Sequence, residues 1–99
     1  MDIVKKQNEN ELNVALAGRL DTTTAPELAA AVNGEALNGI TALVLDFAKL
    51  DYISSAGLRV LLAAQKIMNN QGSMVVRNVN ETIMEVFEVT GFSDILTIQ

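Results

Sequence analysis

Two hydroxyl-rich segments hold most of the side chains in this sequence that can do chemistry: Asp21-Thr22-Thr23-Thr24 and Asp51-Tyr52-Ile53-Ser54-Ser55-Ala56-Gly57. A serine at the mouth of a helix can satisfy an orphan backbone N–H, and the same helix end favours a phosphate through its partial positive charge. Ser54 and Ser55 suit both roles, so residue type alone leaves a plain helix cap and a modifiable hydroxyl as open alternatives. Gly57 has its own structural reading, in which the absent Cβ lets the helix start pass close to another backbone. The carboxylates Asp21, Asp46 and Asp51 are of the type that holds magnesium or forms an acid–base pair. Acidic residues at strand ends more often act as caps or solvated loop residues. No catalytic residue and no metal ligand is therefore assigned.

Composition narrows the chemistry further. The 99 residues contain no cysteine and no histidine, which removes thiolate nucleophiles, imidazole acid–base catalysis and zinc sites of the usual N/S type. The expectation is a chain that is not an enzyme and uses no cofactor. A formal charge of −5, with only Lys5 and Lys6 adjacent among the cations, argues against nucleic acid and anionic membranes. The longest apolar stretch, Ile40 to Ala48, carries Asp46 within it and falls far short of the ~20 residues that cross a bilayer. The opening Met1-Asp2-Ile3-Val4-Lys5-Lys6 lacks a basic-then-apolar signal pattern, and without cysteine there is no disulfide, so a cytoplasmic protein with no membrane insertion is expected.

The elements that must position these residues follow from periodicity. A chain this short supports one core, so residues 1–99 are read as a single domain, and 49% apolar against 19% charged residues is the balance of a packed globule. Ile3 to Lys6, a polar Gln7-Asn8-Glu9-Asn10 turn, and the alternating Leu12, Val14 and Leu16 predict a hairpin. Thr24-Ala25-Pro26-Glu27 reads as a capping box, with the Thr24 hydroxyl accepting from the Glu27 N–H and Pro26 in the first turn. Ala25, Leu28, Ala29, Val32 and Ala36 then share a helical face that Gly39 closes, with Gly34 inside it at a cost of about 1 kcal/mol relative to alanine. Thr41 to Phe47 is a near-continuous apolar run, expected to be a central strand covered on both faces.

After the Asp51–Gly57 loop, Leu58, Leu61, Leu62, Ala64, Ile67 and Met68 predict a second helix opposite Arg59, Lys66 and Asn70, with Gly72 as its C′ stop. Ser73 to Val76 reads as a strand, Asn80 as the cap of a third helix with Val79 stapled onto Met84, Gly91 as its end, and Ile95 to Ile98 as a last strand. Glu81, Glu85 and Glu88 are expected to be solvated surface, and Met68, Met74, Met84, Phe47, Phe87 and Phe92 are core candidates. The order β-β-α-β-α-β-α-β predicts an α/β domain with a mixed five-stranded sheet, helices packed against it, and partners met at the C-terminal ends of the parallel strands.

Two spaced motifs carry a resemblance. Val14-Ala15-Leu16-Ala17-Gly18-Arg19-Leu20-Asp21, followed by Thr24 and Leu28, resembles the L-x-G-x-L-D segment of the sulphate transporter and anti-sigma factor antagonist (STAS) domain family. Leu43 to Phe47, then Ile53-Ser54-Ser55-Ala56-Gly57-Leu58-Arg59-Val60, resembles the family's strand and its D-S-[ST]-G-L phosphorylation loop. The similarity runs from about residue 3 to residue 98.

The resemblance implies that Ser55 is the phosphorylated serine, that Gly57 and Leu58 are the motif's pair, and that Asp21 is the first-loop aspartate. Ser54 stands where the motif has aspartate, removing an acidic neighbour, and Ala56 stands where it has a second hydroxyl, leaving Ser54 as the competing acceptor. The implied function is that of an anti-sigma factor antagonist. Its unphosphorylated form binds an anti-sigma factor that is also a serine kinase and so frees a sigma factor; phosphorylation releases it and a phosphatase resets it. The implied partner surface comprises Asp21, Thr22, Thr23, Asp51, Ser54, Ser55, Ala56, Gly57, Leu58 and Arg59, with Arg59 also within reach of a phosphate on Ser55. An unphosphorylated STAS-like subunit of a signalling scaffold or lipid-transport complex is the alternative.

Overall fold

In the computed structural model, which describes residues 1–99, the chain opens on the hairpin that its alternation requires. β1 (Asp2–Asn8) runs antiparallel to β2 (Glu11–Leu20), with Ile3 opposite Leu16 and Lys5 opposite Val14. The ladder closes at Asn8 opposite Glu11, so the turn is two residues rather than four, and Glu9 takes a positive φ of 55° there, the twist that tight hairpins favour.

Three helix-containing crossovers follow: α1 (Ala25–Ala31) to β3 (Ala42–Ile53), α2 (Ser55–Asn69) to β4 (Ser73–Arg77), and α3 (Glu81–Thr90) to β5 (Thr97–Ile98). A short 3₁₀ turn at Phe92–Asp94 reduces the last strand to two residues. β2, β3, β4 and β5 are mutually parallel, and the strand order across the sheet is the chain order. Crossovers of one hand that always step in the same direction put every helix on the same face. Burial agrees: Leu12, Val14, Leu16, Leu43, Leu45, Phe47, Met74 and Val76 are buried, whereas the alternate residues Asn13, Val44, Asp46 and Val75 are half-buried and Ala15 is exposed. The expectation that β3 is covered on both faces is thereby corrected. It is the middle strand, but of a two-layer domain.

Helix ends show where local signals hold. Asn80 caps α3, its Oδ1 accepting from the Ile83 N–H at 2.8 Å, and Gly91 ends that helix with φ 81°. α1 stops at Ala31 instead of reaching Gly39, because the Asn33 side chain takes the Ala36 N–H at 2.8 Å and Gly34 adds its propensity cost, so turns replace the helix. Leu37 and Ile40 are nevertheless buried, held by the Gln71 amide, which donates to both of their carbonyl oxygens at 2.6 and 2.8 Å.

Gly72 is not a left-handed helix stop. A Cβ there would collide with the backbone of Thr41, whose carbonyl accepts from Ser73 N at 2.9 Å as β4 begins, so glycine is required by close approach. The α2 flank buries Leu61, Ala64 and Met68, and Phe47 packs on Phe87 with ring centroids 6.4 Å apart. Met74 is buried too, while Met84 and Phe92 are half-buried at the core's edge, and Glu81, Glu85 and Glu88 are exposed. No helix is long and apolar enough to cross a membrane.

Candidate functional site

β3 shapes the site through two bulges. Between the pairs Ala15↔Asp46 and Ala17↔Lys49 it advances three residues against two of β2, and between Gly18↔Leu50 and Arg19↔Tyr52 two against one. Phe47, Leu50 and Ile53 therefore all point into the core, with Ala48, Lys49, Asp51 and Tyr52 exposed between them. Asp46 braces the first bulge: its Oδ1 accepts from the Asn78 amide and from the Ala48 N–H, each at 2.9 Å. These two bonds, led by that of Asn78 and helped by the charge of Arg77, hold the Asp46 carboxyl below the ordinary carboxylate value against a smaller opposing effect of burial. Asp46 is thus a structural residue, and no group of three carboxylates comes together.

The bulged strand shortens the expected loop. Asp51, Tyr52 and Ile53 belong to β3, the connection is Ser54 alone, and α2 begins at Ser55 rather than near Leu58. Ser54 is extended (φ −104°, ψ 176°), donates its N–H to the Leu20 carbonyl at 2.9 Å and accepts from Leu58 N at 3.0 Å. Its hydroxyl is buried with no partner and does not cap the helix. Ser55 is exposed at the first position of a 15-residue helix, beside N–H groups that lack intrahelical acceptors. Gly57 is pressed against the sheet: a Cβ there would sit 2.7 Å from Leu20 Cγ and 2.9 Å from Ile53 Cγ1. Its close neighbours are side chains, not the backbone anticipated from sequence. Gly57 and Leu58 are buried, so they seat the helix and do not face solvent, while Ala56 is half-buried and Asp51, Ser55 and Arg59 are exposed.

The first loop meets this turn through the Leu20↔Ile53 pair and the Ser54 N–H on Leu20. Asp21 Oδ1 gathers the Thr23 N–H at 3.0 Å, the Thr23 hydroxyl at 2.8 Å and the Thr24 N–H at 3.2 Å. The Thr23 hydroxyl is the main cause holding the Asp21 carboxyl below its usual value, opposed by desolvation and aided by the backbone bonds. The predicted capping box is not formed. The Thr24 hydroxyl instead donates to the Arg19 carbonyl at 2.7 Å and accepts from Asp21 N at 2.8 Å, and the Glu27 N–H finds the Thr24 carbonyl at 2.9 Å. Thr24 serves the loop, leaving Thr22 and Thr23 exposed at its tip.

Sequence reasoning missed two residues that share this edge. Arg19 lies opposite Tyr52 in the ladder, its guanidinium carbon 4.1 Å from the ring centroid and its Nε 3.7 Å from Asp21 Oδ2. Their adjacency follows from the β2–β3 register, which the bulges make unreadable from either strand alone. Clefts of the surface include two on the open sheet face around Val4, Ala15 and Asp46 and one between α1 and α2 that Arg59 lines. The serine edge itself is a convex turn formed by the end of β3 and the start of α2.

Comparison with known proteins identifies relatives of the whole domain. A family model described as STAS domain matches residues 2–99. BtrV of Bordetella bronchiseptica is 35% identical over 99 residues, covering 99% of this chain and 85% of that protein. The anti-sigma-B factor antagonist of Bacillus subtilis is 34% identical over 94 residues, covering 94% of this chain and 85% of the relative. Among solved structures, an anti-sigma factor antagonist from Mycobacterium paratuberculosis superposes with a TM-score of 0.86 at 21% identity, covering 98% of this chain and 83% of that one. SpoIIAA superposes with a TM-score of 0.78 both unphosphorylated, at 17% identity over 99% of this chain and 87% of that one, and phosphorylated, at 18% over 99% and 91%. With the family model running from end to end and two relatives above 30% identity, this chain belongs to the STAS domain family.

Proposed function

We propose that this domain is an anti-sigma factor antagonist, a regulatory binding module switched by phosphorylation of Ser55. The observation that carries the reading is the exposed Ser55 hydroxyl at the start of α2, on the edge where the Asp21 loop converges. Its relatives in Bacillus subtilis and Listeria are anti-sigma-B factor antagonists. The partner is an anti-sigma factor with serine kinase activity; a phosphoserine phosphatase restores the binding form, and the cycle runs in the cytoplasm.

Release then follows from electrostatics at the interface and not from unfolding. A phosphate adds about −1.5 to −2 of charge, which the positive end of α2 accommodates within the domain. Against a partner shaped for a neutral serine, the same anion must be desolvated beside the carboxylates of Asp21 and Asp51. SpoIIAA is equally similar to this chain in its two phosphorylation states, as expected of a modification that spares the fold.

Calorimetric titration against the anti-sigma factor kinase of the same genome tests this. Ser55→Asp is expected to weaken binding at least ~10-fold, about 1.4 kcal/mol, with an unchanged melting temperature. Equal affinity of variant and parent overturns the switch. A chain that binds but stays unmodified after incubation with kinase and ATP belongs instead to an unphosphorylated scaffold.

A further inference from the structure

Resting on that reading, we infer that the anti-sigma factor grips this domain through Tyr52, stacked on Arg19, with the interface continuing from Ser55 over the strand ends onto the open side of the sheet. Tyr52 is the chain's one tyrosine, and its side of the sheet is wet: it is 39% exposed, while Phe47 and Phe87 are fully buried. The second bulge in β3 is what turns it outward. In an uninterrupted strand Tyr52 shares a face with buried Leu50; the extra residue at Asp51 sends Tyr52 to solvent while Leu50 and Ile53 stay in the core. Bulges re-aim side chains in this way next to functional sites.

The ring is also held ready. Arg19 lies 4.1 Å over it and is tethered to Asp21 at 3.7 Å, so one chain of contacts runs from Tyr52 through Arg19 and Asp21 to the Thr23–Thr24 turn. A pre-stacked aromatic loses little freedom on docking, and the guanidinium's charge is balanced by the carboxylate before the partner arrives. Tyrosine and arginine are the side chains in which binding energy concentrates, whereas small hydroxyl residues contribute little of it.

Distance places Tyr52 within reach of an ordinary interface centred on Ser55. Tyr52 and Ser55 are three Cα–Cα steps apart along the chain, so their Cα atoms are at most roughly 11 Å apart. A standard footprint of about 800 Å² per partner corresponds to a disc of roughly 16 Å radius, which centred on Ser55 includes Tyr52. The complementary feature on the anti-sigma factor is an apolar slot that takes the ring, flanked by an acceptor for the exposed edge of Arg19. Affinity and switching thereby reside in different side chains three residues apart.

Because the chain has a single tyrosine, growth on 3-fluorotyrosine labels position 52 alone without a mutation. The ¹⁹F resonance is expected to shift or broaden when the anti-sigma factor kinase is added. Tyr52→Ala is expected to weaken binding at least ~10-fold with unchanged melting, Tyr52→Phe to stay within about 3-fold of the parent, and Arg19→Ala to fall between them. A resonance unmoved by a partner that binds, or Tyr52→Ala binding like the parent, overturns the anchor and leaves the Ser55 switch standing. Failure of the parent chain itself to bind overturns the antagonist reading, and the anchor with it.

Discussion

Two helix starts in this domain are built to different standards. At α3, Asn80 accepts from Ile83 N at 2.8 Å, its amide donates to the Leu50 carbonyl at 3.0 Å, and Glu81 adds a negative charge to the first turn. At α2, Ser54 makes no side-chain cap, its hydroxyl is buried without a partner, and the first turn has no acidic residue. A capping side chain is worth about 1 kcal/mol to a helix. The start of α3 is closed and serves stability; that of α2 retains its unsatisfied positive end, and the exposed hydroxyl of Ser55 stands on it. On the proposed function, the poor cap at Ser54 is what leaves this helix end free to meet a phosphate.

Substitutions sharpen this contrast. The largest effect is expected at Gly57, where a methyl group would lie 2.7 Å from buried Leu20. Gly57→Ala should lift α2 off the sheet and cost on the order of 1–3 kcal/mol in denaturant unfolding, and a neutral outcome would mean that this helix start is loosely seated. Asn80→Ala removes both the cap and the tie to Leu50, with an expected loss of about 1–2 kcal/mol. Ser54→Ala deletes a hydroxyl that bonds to nothing, so its unfolding free energy should stay within about 0.5 kcal/mol of the parent. A cost equal to that of Asn80→Ala would erase the distinction between the two starts.

The smallest effect concerns acid. The carboxyls of Asp21 and Asp46 are held below their ordinary value when folded, so the unfolded chain binds more protons in that range. Their contribution is present above the unfolded value, near pH 4, and is lost as pH falls through the lower folded values. Asp46→Asn should therefore flatten part of the decline in denaturant midpoint between about pH 5 and pH 2, leaving the slope above pH 6 unchanged.

Local chemistry was legible from sequence wherever one residue decides the outcome. The alternation of Leu12, Val14 and Leu16, the cap at Asn80 and the left-handed Gly91 each needed only their immediate neighbours. So did the serines at the start of α2, although their helix begins three residues earlier than periodicity suggested. What escaped reading depends on a second segment. Thr24 forms no capping box because Arg19 and Asp21 compete for its hydroxyl. The β3 bulges exist only relative to β2, so neither the extension of the strand to Ile53 nor the Arg19–Tyr52 stack is written in either strand by itself. One-sided coverage of the sheet follows from the direction of three successive crossovers, which no single element encodes.

The strand order carries a consequence for how the molecule is made. Each strand docks on the one that precedes it in the chain. The parallel pairings, such as Ala42 with Ser73, close only after a helical crossover and are of the slower kind, but none has to wait for a strand further along. The Asp21 turn, Tyr52, Ser55 and all of α2 lie within the first 69 residues. During vectorial synthesis the segments that pair Leu20 with Ile53 therefore emerge before β4, α3 and β5, which complete the sheet beside them.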